Sequence, residues 1–418
     1  MILSITLPAQ DLDYVKQQAD ILAAPDMYGR GYVNNGVGLA ANHIEGEFKK
    51  MGLSPVSGQY RQDFVHSVNT FPSAMKICLG RKELKAGEDF LVDPLSSPMS
   101  GKYKVNYLEP DQRYFVVGLP QVEQNEINVV DCRMTKEMRA DSIDDKDQQS
   151  MLRSMQGYVR STTTRNSAMV LTDEKFVWGG AQTRNGGAFI SIHGDASRAK
   201  GKMTIDIENE FIPEYTSTNV MGMVTGSLYP DSFIVFTAHY DHLGMMGQEA
   251  CFAGANDNAS GTAVMMSFAK HYAENPPECS VVFIAFAGEE IGLVGSFHFA
   301  ENPLIPLEKI GFLLNLDLFA SGAEGITIVN ATEVPEAYAL LGSINEEKDL
   351  LPLVKKRGPS ANSDHHPFTL KGVPAIFIYA MGGSKAYHDI HDTPDKLTFD
   401  EYPDIFTLLT TFVDRLNK

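Results

Sequence analysis

Cysteine is scarce in this chain: four in 418 residues, at Cys78, Cys132, Cys251 and Cys279. None stands in a CxxC pair, which argues against a zinc site built on thiolates. Four cysteines could form two disulfides or none, and a chain of this length can stand without them. Long apolar runs are missing too. No stretch reaches the roughly 18 residues that a membrane helix requires, so no membrane span is expected. Basic residues are outnumbered, 35 against 53 acidic, for a formal charge of -18. A surface that acidic repels phosphate backbones, so nucleic acid is not an expected partner, whereas free amino termini and metal ions are tolerated or attracted. No internal repeat or low-complexity tract interrupts the chain.

With 43% hydrophobic and 21% charged residues, the composition is that of a globular protein, and the length suits one large domain plus a smaller one. The opening stretch from Met1 to Gln10 is apolar and ends in small or polar residues. It reads either as the tail of a secretory signal peptide without its basic start, or as a short strand or frayed end. The first alternative places the protein in the periplasm or outside the cell; a cytoplasmic location stays open. Residues 11–24 predict a helix with Leu12, Val15, Ala19 and Leu22 on one stripe, ended by Pro25, and a second helix runs roughly from Val37 to Met51. Residues 1–70 thus form a helical N-terminal part.

From about Phe71 the texture changes to short β-like runs, such as Tyr114–Val117, Ile127–Val130 and Ala188–Ile192, with one helix near Asp147–Val159. Residues 71–204 read as a smaller, mostly-β insertion. Residues 205–418 alternate strand-length apolar runs (Phe233–Phe236, Val281–Phe286, Ile310–Leu316, Pro374–Tyr379) with helical stretches, one of them Ala259 to Glu274, stopping before Pro276-Pro277. That alternation predicts an α/β fold: a mostly parallel central sheet flanked by helices.

In open α/β sheets ligands bind beyond the carboxyl ends of the strands. Just past each apolar run stands an acid or an imidazole: His239-Tyr240-Asp241-His242, then Glu289-Glu290, then Asp317, then His388. Asp257 lies in the Gly254–Gly261 turn that enters the first crossover helix. Singly, each of these is an ordinary loop residue or helix cap. Together they gather like charges on one rim, which is costly unless cations sit among them. Imidazole and carboxylate ligands suit zinc, and two such ions roughly 3.5–4 Å apart form the arrangement of aminopeptidases and phosphatases.

These segments resemble, in order, the zinc aminopeptidase family that also contains glutamate carboxypeptidase, glutaminyl cyclase and the transferrin receptor ectodomain. The matching stretches are Ala238–Gly244, Gly254–Gly261, Phe286–Ser296, Asn315-Leu316-Asp317, Ser363-Asp364-His365, and Tyr387-His388 through Asp392–Leu397. Tyr28-Gly29-Arg30-Gly31 extends the resemblance weakly toward the N-terminus. The resemblance implies two zinc ions, with Asp257 bridging, His239 and Asp317 completing one site, and Glu290 and His388 the other. His391 is the alternative last ligand. Glu289 is implied as general base and Asp241 as the acceptor for the second imidazole N–H of His239. Asp364 and His365 are implied to border the substrate, and a cis peptide is expected at Asp257-Asn258. The insertion resembles a protease-associated domain.

The resemblance implies removal of N-terminal residues from peptides by a water that the metals acidify and Glu289 deprotonates. A carboxypeptidase or dipeptidase would need cations to grip a terminal carboxylate, yet the only arginines from residue 206 onward are Arg357 and Arg415. A glutaminyl cyclase works by intramolecular amine attack, and a binding protein with a decayed site would have lost ligands. His242 and His366 read as surface or hydrogen-bonded histidines, and Cys251 as a small buried loop residue.

Overall fold

The computed structural model describes residues 11–134, 145–194 and 201–416. The opening ten residues, and with them the signal-peptide reading, lie outside the described residues. The structure rests on two eight-stranded sheets. The first runs in the order Arg61–Thr70, Glu210–Val224, Cys279–Phe286, Tyr229–His239, Ile310–Leu316, Ala375–Met381, Gly325–Val329, Val354–Lys356. Its four middle strands, from Cys279–Phe286 to Ala375–Met381, are parallel, and antiparallel pairings join them to the strands on either side.

The middle strands read as unbroken apolar runs because both faces are covered. Every residue of Cys279–Phe286 is buried. Val281, Phe283 and Ala285 point into one core with the helices Leu12–Leu22, Gly36–Lys50, Gly261–Glu274 and Tyr402–Leu416. Val282, Ile284 and Phe286 point into the other, against Phe299 and Phe368 from the helices Val294–Glu301 and His365–Leu370. The two-residue alternation of the strand thus serves two cores at once. Asp11 caps the helix Leu12–Leu22 by accepting from the Tyr14 amide at 2.9 Å. The helix Gly261–Glu274 starts two residues later than its sequence suggests, because a wider turn over Ala255–Ser260 precedes it and contains the expected cis Asp257-Asn258 bond.

The second sheet uses strands between Lys76 and Ile207, in the order Lys82–Leu84, Lys76–Leu79, Lys202–Ile207, Met99–Leu108, Glu126–Asp131, Ala168–Leu171, Phe189–Ile192, Phe90–Val92. Three of its pairings are parallel. Parallel neighbours need a crossover, and the helix Asp145–Thr162 supplies the one between Glu126–Asp131 and Ala168–Leu171. Tyr114–Val117 corrects the sequence reading: it is a single helical turn, not a strand. Asp111 starts it by accepting from the Arg113 amide at 2.8 Å. With no alternation to bury one face, Val116 and Val117 stay 87% and 77% exposed. All four cysteines are free thiols, Cys251 half-buried in the strand Ala250–Phe252. Among the described residues, no helix is long and apolar enough to cross a membrane.

Candidate metal centre

The parallel strands end on one rim, and there the acids and imidazoles meet. His239 is the last residue of its strand, and Asp317 follows Leu316 directly. Glu289 and Glu290 follow Cys279–Phe286 by a short turn, and His388 lies on the loop after Ala375–Met381. His239 Nε2 is 3.3 Å from Asp257 Oδ1 and 3.4 Å from Asp317 Oδ1. His388 Nε2 is 3.1 Å from Asp257 Oδ2 and 3.2 Å from Glu290 Oε2. The Asp257 carboxylate therefore divides, one oxygen to each imidazole.

Donor atoms about 2.0–2.1 Å from a shared tetrahedral ion stand about 3.3 Å apart. The four separations match that spacing, so the donor set fits two divalent ions. Judged by mutual distance alone, His239, Asp257 and Glu290 form one group within 4.8 Å, and His239, Glu289 and Asp317 another. The pairwise contacts follow the edges of two coordination shells, His239 and Asp317 about one Asp257 oxygen and His388 and Glu290 about the other. Asp317 Oδ1 has no hydrogen bond despite its burial, as suits an atom reserved for a cation.

The charges respond to their burial. Burial raises carboxyls and depresses imidazoles; close pairing overrides it at Asp257, Glu290 and His388, whereas at Asp317 burial wins and the carboxyl is raised. Asp257 falls well below the usual carboxylate range because His239 and His388 face it. Burial opposes a drop at Glu290, yet His388 and His242 hold it at about 2. Burial works against the His388 imidazolium, and Glu290 and Asp257 nevertheless raise it to about 11. Glu289 makes no such pair; burial, with Glu290, Asp364 and Asp317 nearby, pushes it well above the ordinary value.

Around this centre several expectations change. His239 Nδ1 lies 3.2 Å from the Asp241 backbone carbonyl and 3.9 Å from its carboxylate. The carboxylate instead accepts from the half-buried amides of Glu289 and Glu290, at 3.2 and 3.4 Å. Burial raises Asp241 to about 6. His388 reaches the cluster and His391 is exposed. Asp364 and His365 do not border the cavity. They begin the helix His365–Leu370, whose Phe368 sits in the second core, and this draws both inside, at 0% and 1% exposure.

The cavity at the rim holds about 340 Å3, lined by His239, Asp257, Glu289, Glu290, Asp317 and His388 together with apolar Leu293, Leu318, Phe377 and Tyr387. Among the described residues, neither lysine nor arginine lines it.

Four residues escape the sequence reading. His242 is fully buried and its Nδ1 lies 2.6 Å from Glu290 Oε1. Asp392 accepts from the amides of Asn256 and Asp257 at 2.8 and 3.0 Å, fixing the turn that carries Asp257. The Trp178 carbonyl, from the second sheet's half of the chain, accepts from His388 Nδ1 at 2.9 Å, while the Trp178 amide donates to the His388 carbonyl at 2.9 Å. Arg30 is wholly buried beneath the centre and donates to the carbonyls of Leu22, Tyr240, Ala253 and Gly254 at 2.7–2.9 Å. Arg30, His242 and Asp392 had a signal, their places in Tyr28-Gly29-Arg30-Gly31, Ala238–Gly244 and Asp392–Leu397, whereas Trp178 had none. Gly31 presses so closely on Gly244 that a Cβ would lie 2.5 Å from the Gly244 Cα.

The architecture is that of the zinc aminopeptidases. It is similar to the structure of BSAP, a zinc aminopeptidase from Bacillus subtilis, with a TM-score of 0.65 over 96% of this chain and 93% of that one, at 16% identity. Residues 219–413, a little under half of the chain, match the model of peptidase family M28. Among curated relatives, a probable zinc metalloprotease of Pyrenophora teres f. teres (strain 0-1) is 34% identical over 135 residues, 30% of this chain and 28% of that protein. Aminopeptidase YwaD of Bacillus subtilis (strain 168) is 30% identical over 189 residues, 43% of this chain and 39% of that protein. This chain thus spans less than two thirds of either relative's length.

Proposed function

We propose that the protein is a zinc peptidase carrying two ions and removing N-terminal residues from peptides. The observation that carries this reading is the division of the Asp257 carboxylate, with His239 and Asp317 around one oxygen and His388 and Glu290 around the other. His239, Asp257 and Asp317 would hold one ion, and Asp257, Glu290 and His388 the second. The bound pair would supply Lewis-acid polarisation and lower the pKa of water toward neutrality.

The chain's own residues supply the rest. Glu289 lies on the cavity wall, where it takes a proton from the attacking water and returns it to the leaving amine. Asp241 fixes the turn that presents Glu289 and Glu290. The apolar wall of Leu293, Leu318, Phe377 and Tyr387 receives a substrate side chain. The acidic lining favours a cationic amino terminus, and among the described residues no lysine or arginine lines the cavity to grip a terminal carboxylate.

Elemental analysis of protein purified without chelator, with assays on aminoacyl anilides, tests the proposal. Two zinc ions per chain, cleavage of free-amine substrates alone, and a metal-loaded but inactive Glu289→Gln variant are the expected results. One metal with cyclisation of N-terminal glutamine, or no metal and no turnover, would overturn it.

A further inference from the structure

Glu290 uses its two carboxylate oxygens for different purposes. Oε2 faces His388 Nε2 at 3.2 Å, on the side of Asp257. Oε1 faces away from it and meets His242 Nδ1 at 2.6 Å. A carboxylate left free offers either oxygen, or both, to a cation. One whose second oxygen is tied to a ring N–H offers only the first.

The ring that ties it has no freedom to leave. The His242 side chain is 0% exposed. Its ring lies flat against the backbone at Gly254, where a Cβ would stand 2.3 and 2.4 Å from Cδ2 and Cγ. It packs edge-on to His388, with ring centres 5.6 Å apart. Its own amide donates to the Arg30 carbonyl at 3.2 Å. The neighbouring ligand set shows the same device in a weaker form: Asp317 Oδ2 accepts from Ser363 Oγ at 3.2 Å, leaving Oδ1 toward His239.

We propose that His242 is a positioning residue: its Nδ1–H holds Glu290 so that a single oxygen faces the ion shared with Asp257 and His388. This rests on the two-ion reading above. Hydrogen-bonding partners of metal-ligating carboxylates typically change metal affinity by about 10–100-fold. The effect falls on one ion, because His239 and Asp317 are held by other groups.

The test is a stepwise zinc titration against a competing chelator, on the whole chain, for wild type, His242→Ala and His242→Asn. The asparagine amide stands where Nδ1 stands and restores the donor. His242→Ala is expected to weaken one of the two zinc equivalents by about 10–100-fold while the other stays within about threefold, and His242→Asn to regain most of the loss. Unchanged affinities in His242→Ala, or equal weakening of both equivalents, would overturn the inference. Should His242→Ala fail to fold, His242→Asn is set against His242→Gln, whose donor reaches the place of Nε2. Tighter binding of the weaker equivalent in His242→Asn supports the assignment, and equal binding in the two variants refutes it. A wild-type protein that takes up fewer than two equivalents refutes the two-ion reading instead, and the two failures are thereby told apart.

Discussion

Arg30 carries its charge where no solvent reaches. Burial lowers its guanidinium to about 10 and nearby Asp392, Asp257, Asp241 and Glu290 resist the fall, so it stays protonated at neutral pH. It ties Leu22 of the N-terminal helix to the two loops that carry His239 and Asp257. Arg30→Met leaves those carbonyls without donors and removes the cation beneath the acids. We expect a loss on the order of 3–5 kcal/mol in urea denaturation. Glu289 should behave oppositely, because the role proposed for it is chemical: Glu289→Gln is expected to keep its metal and its unfolding midpoint while kcat falls by about 10²–10⁴-fold.

His365 predicts a pH dependence. Burial, with His366 beside it, lowers its imidazole from the ordinary 6.5 to about 4. Between those values the unfolded chain takes up a proton that the folded chain refuses. The contribution to stability is therefore complete above pH 6.5 and is lost as pH falls through 4. The full span amounts to about 3 kcal/mol. Denaturation of wild type and His365→Leu at a series of pH values should show their stability difference shrinking by up to about that amount on acidification. A difference that does not move with pH would mean that the ring is charged inside the fold.

At the scale of elements, the segment from Lys175 to Gln182 matters most. It leaves the second sheet's half of the chain and lies across the loops that carry Glu290 and His388. Lys175 Nζ pairs with Asp389 at 2.6 Å and donates to the Lys385 carbonyl at 2.9 Å. Trp178 clasps His388, and Gln182 Nε2 donates to the Ile291 carbonyl at 2.8 Å, one residue past Glu290. The Trp178 ring is wedged between Phe252, with centres 4.6 Å apart, and Phe71, at 6.4 Å. Lys175→Ala leaves the nearly buried Asp389 without its cation, so the His388 loop should loosen. Metal loss to chelator is expected to speed up by about tenfold, followed by dye-monitored release. An unchanged rate would make the contact merely adhesive.

Elements also show where sequence reasoning works. The middle strands were legible because burial on both faces forces unbroken apolar runs, and the helix Gly261–Glu274 was bounded by Pro276-Pro277. Tyr114–Val117 misled because four apolar residues fit either a strand or a helical turn, and the Asp111 turn ahead of it favours the helical one. Asp364 and His365 were placed beside the substrate by motif alone, whereas the packing of Phe368 draws them inside.

Over the whole molecule, the formal charge of -18 surrounds a cavity that is itself acidic. Cationic amino termini should be steered inward by that field, and salt should weaken the steering. For a peptide with a lysine at its N-terminus, kcat/KM should fall severalfold between low and high ionic strength, mostly through KM. A peptide carrying a single positive charge should respond less. Equal responses would remove steering from the account.

The sequence by itself determined the alternating α/β core and the set of acids and imidazoles on its rim. Each of those residues follows its own strand or opens its own helix, so a local pattern suffices to place it. Only the tertiary structure decided what holds the rim in shape. His242 meets Glu290 across 48 residues and Trp178 meets His388 across 210. Arg30, Trp178 and the His239 ring work through backbone carbonyls, which every residue possesses and no sequence position advertises. Those contacts exist because the fold carries distant segments to one strand edge, where buried donors and acceptors must pair with whatever arrives.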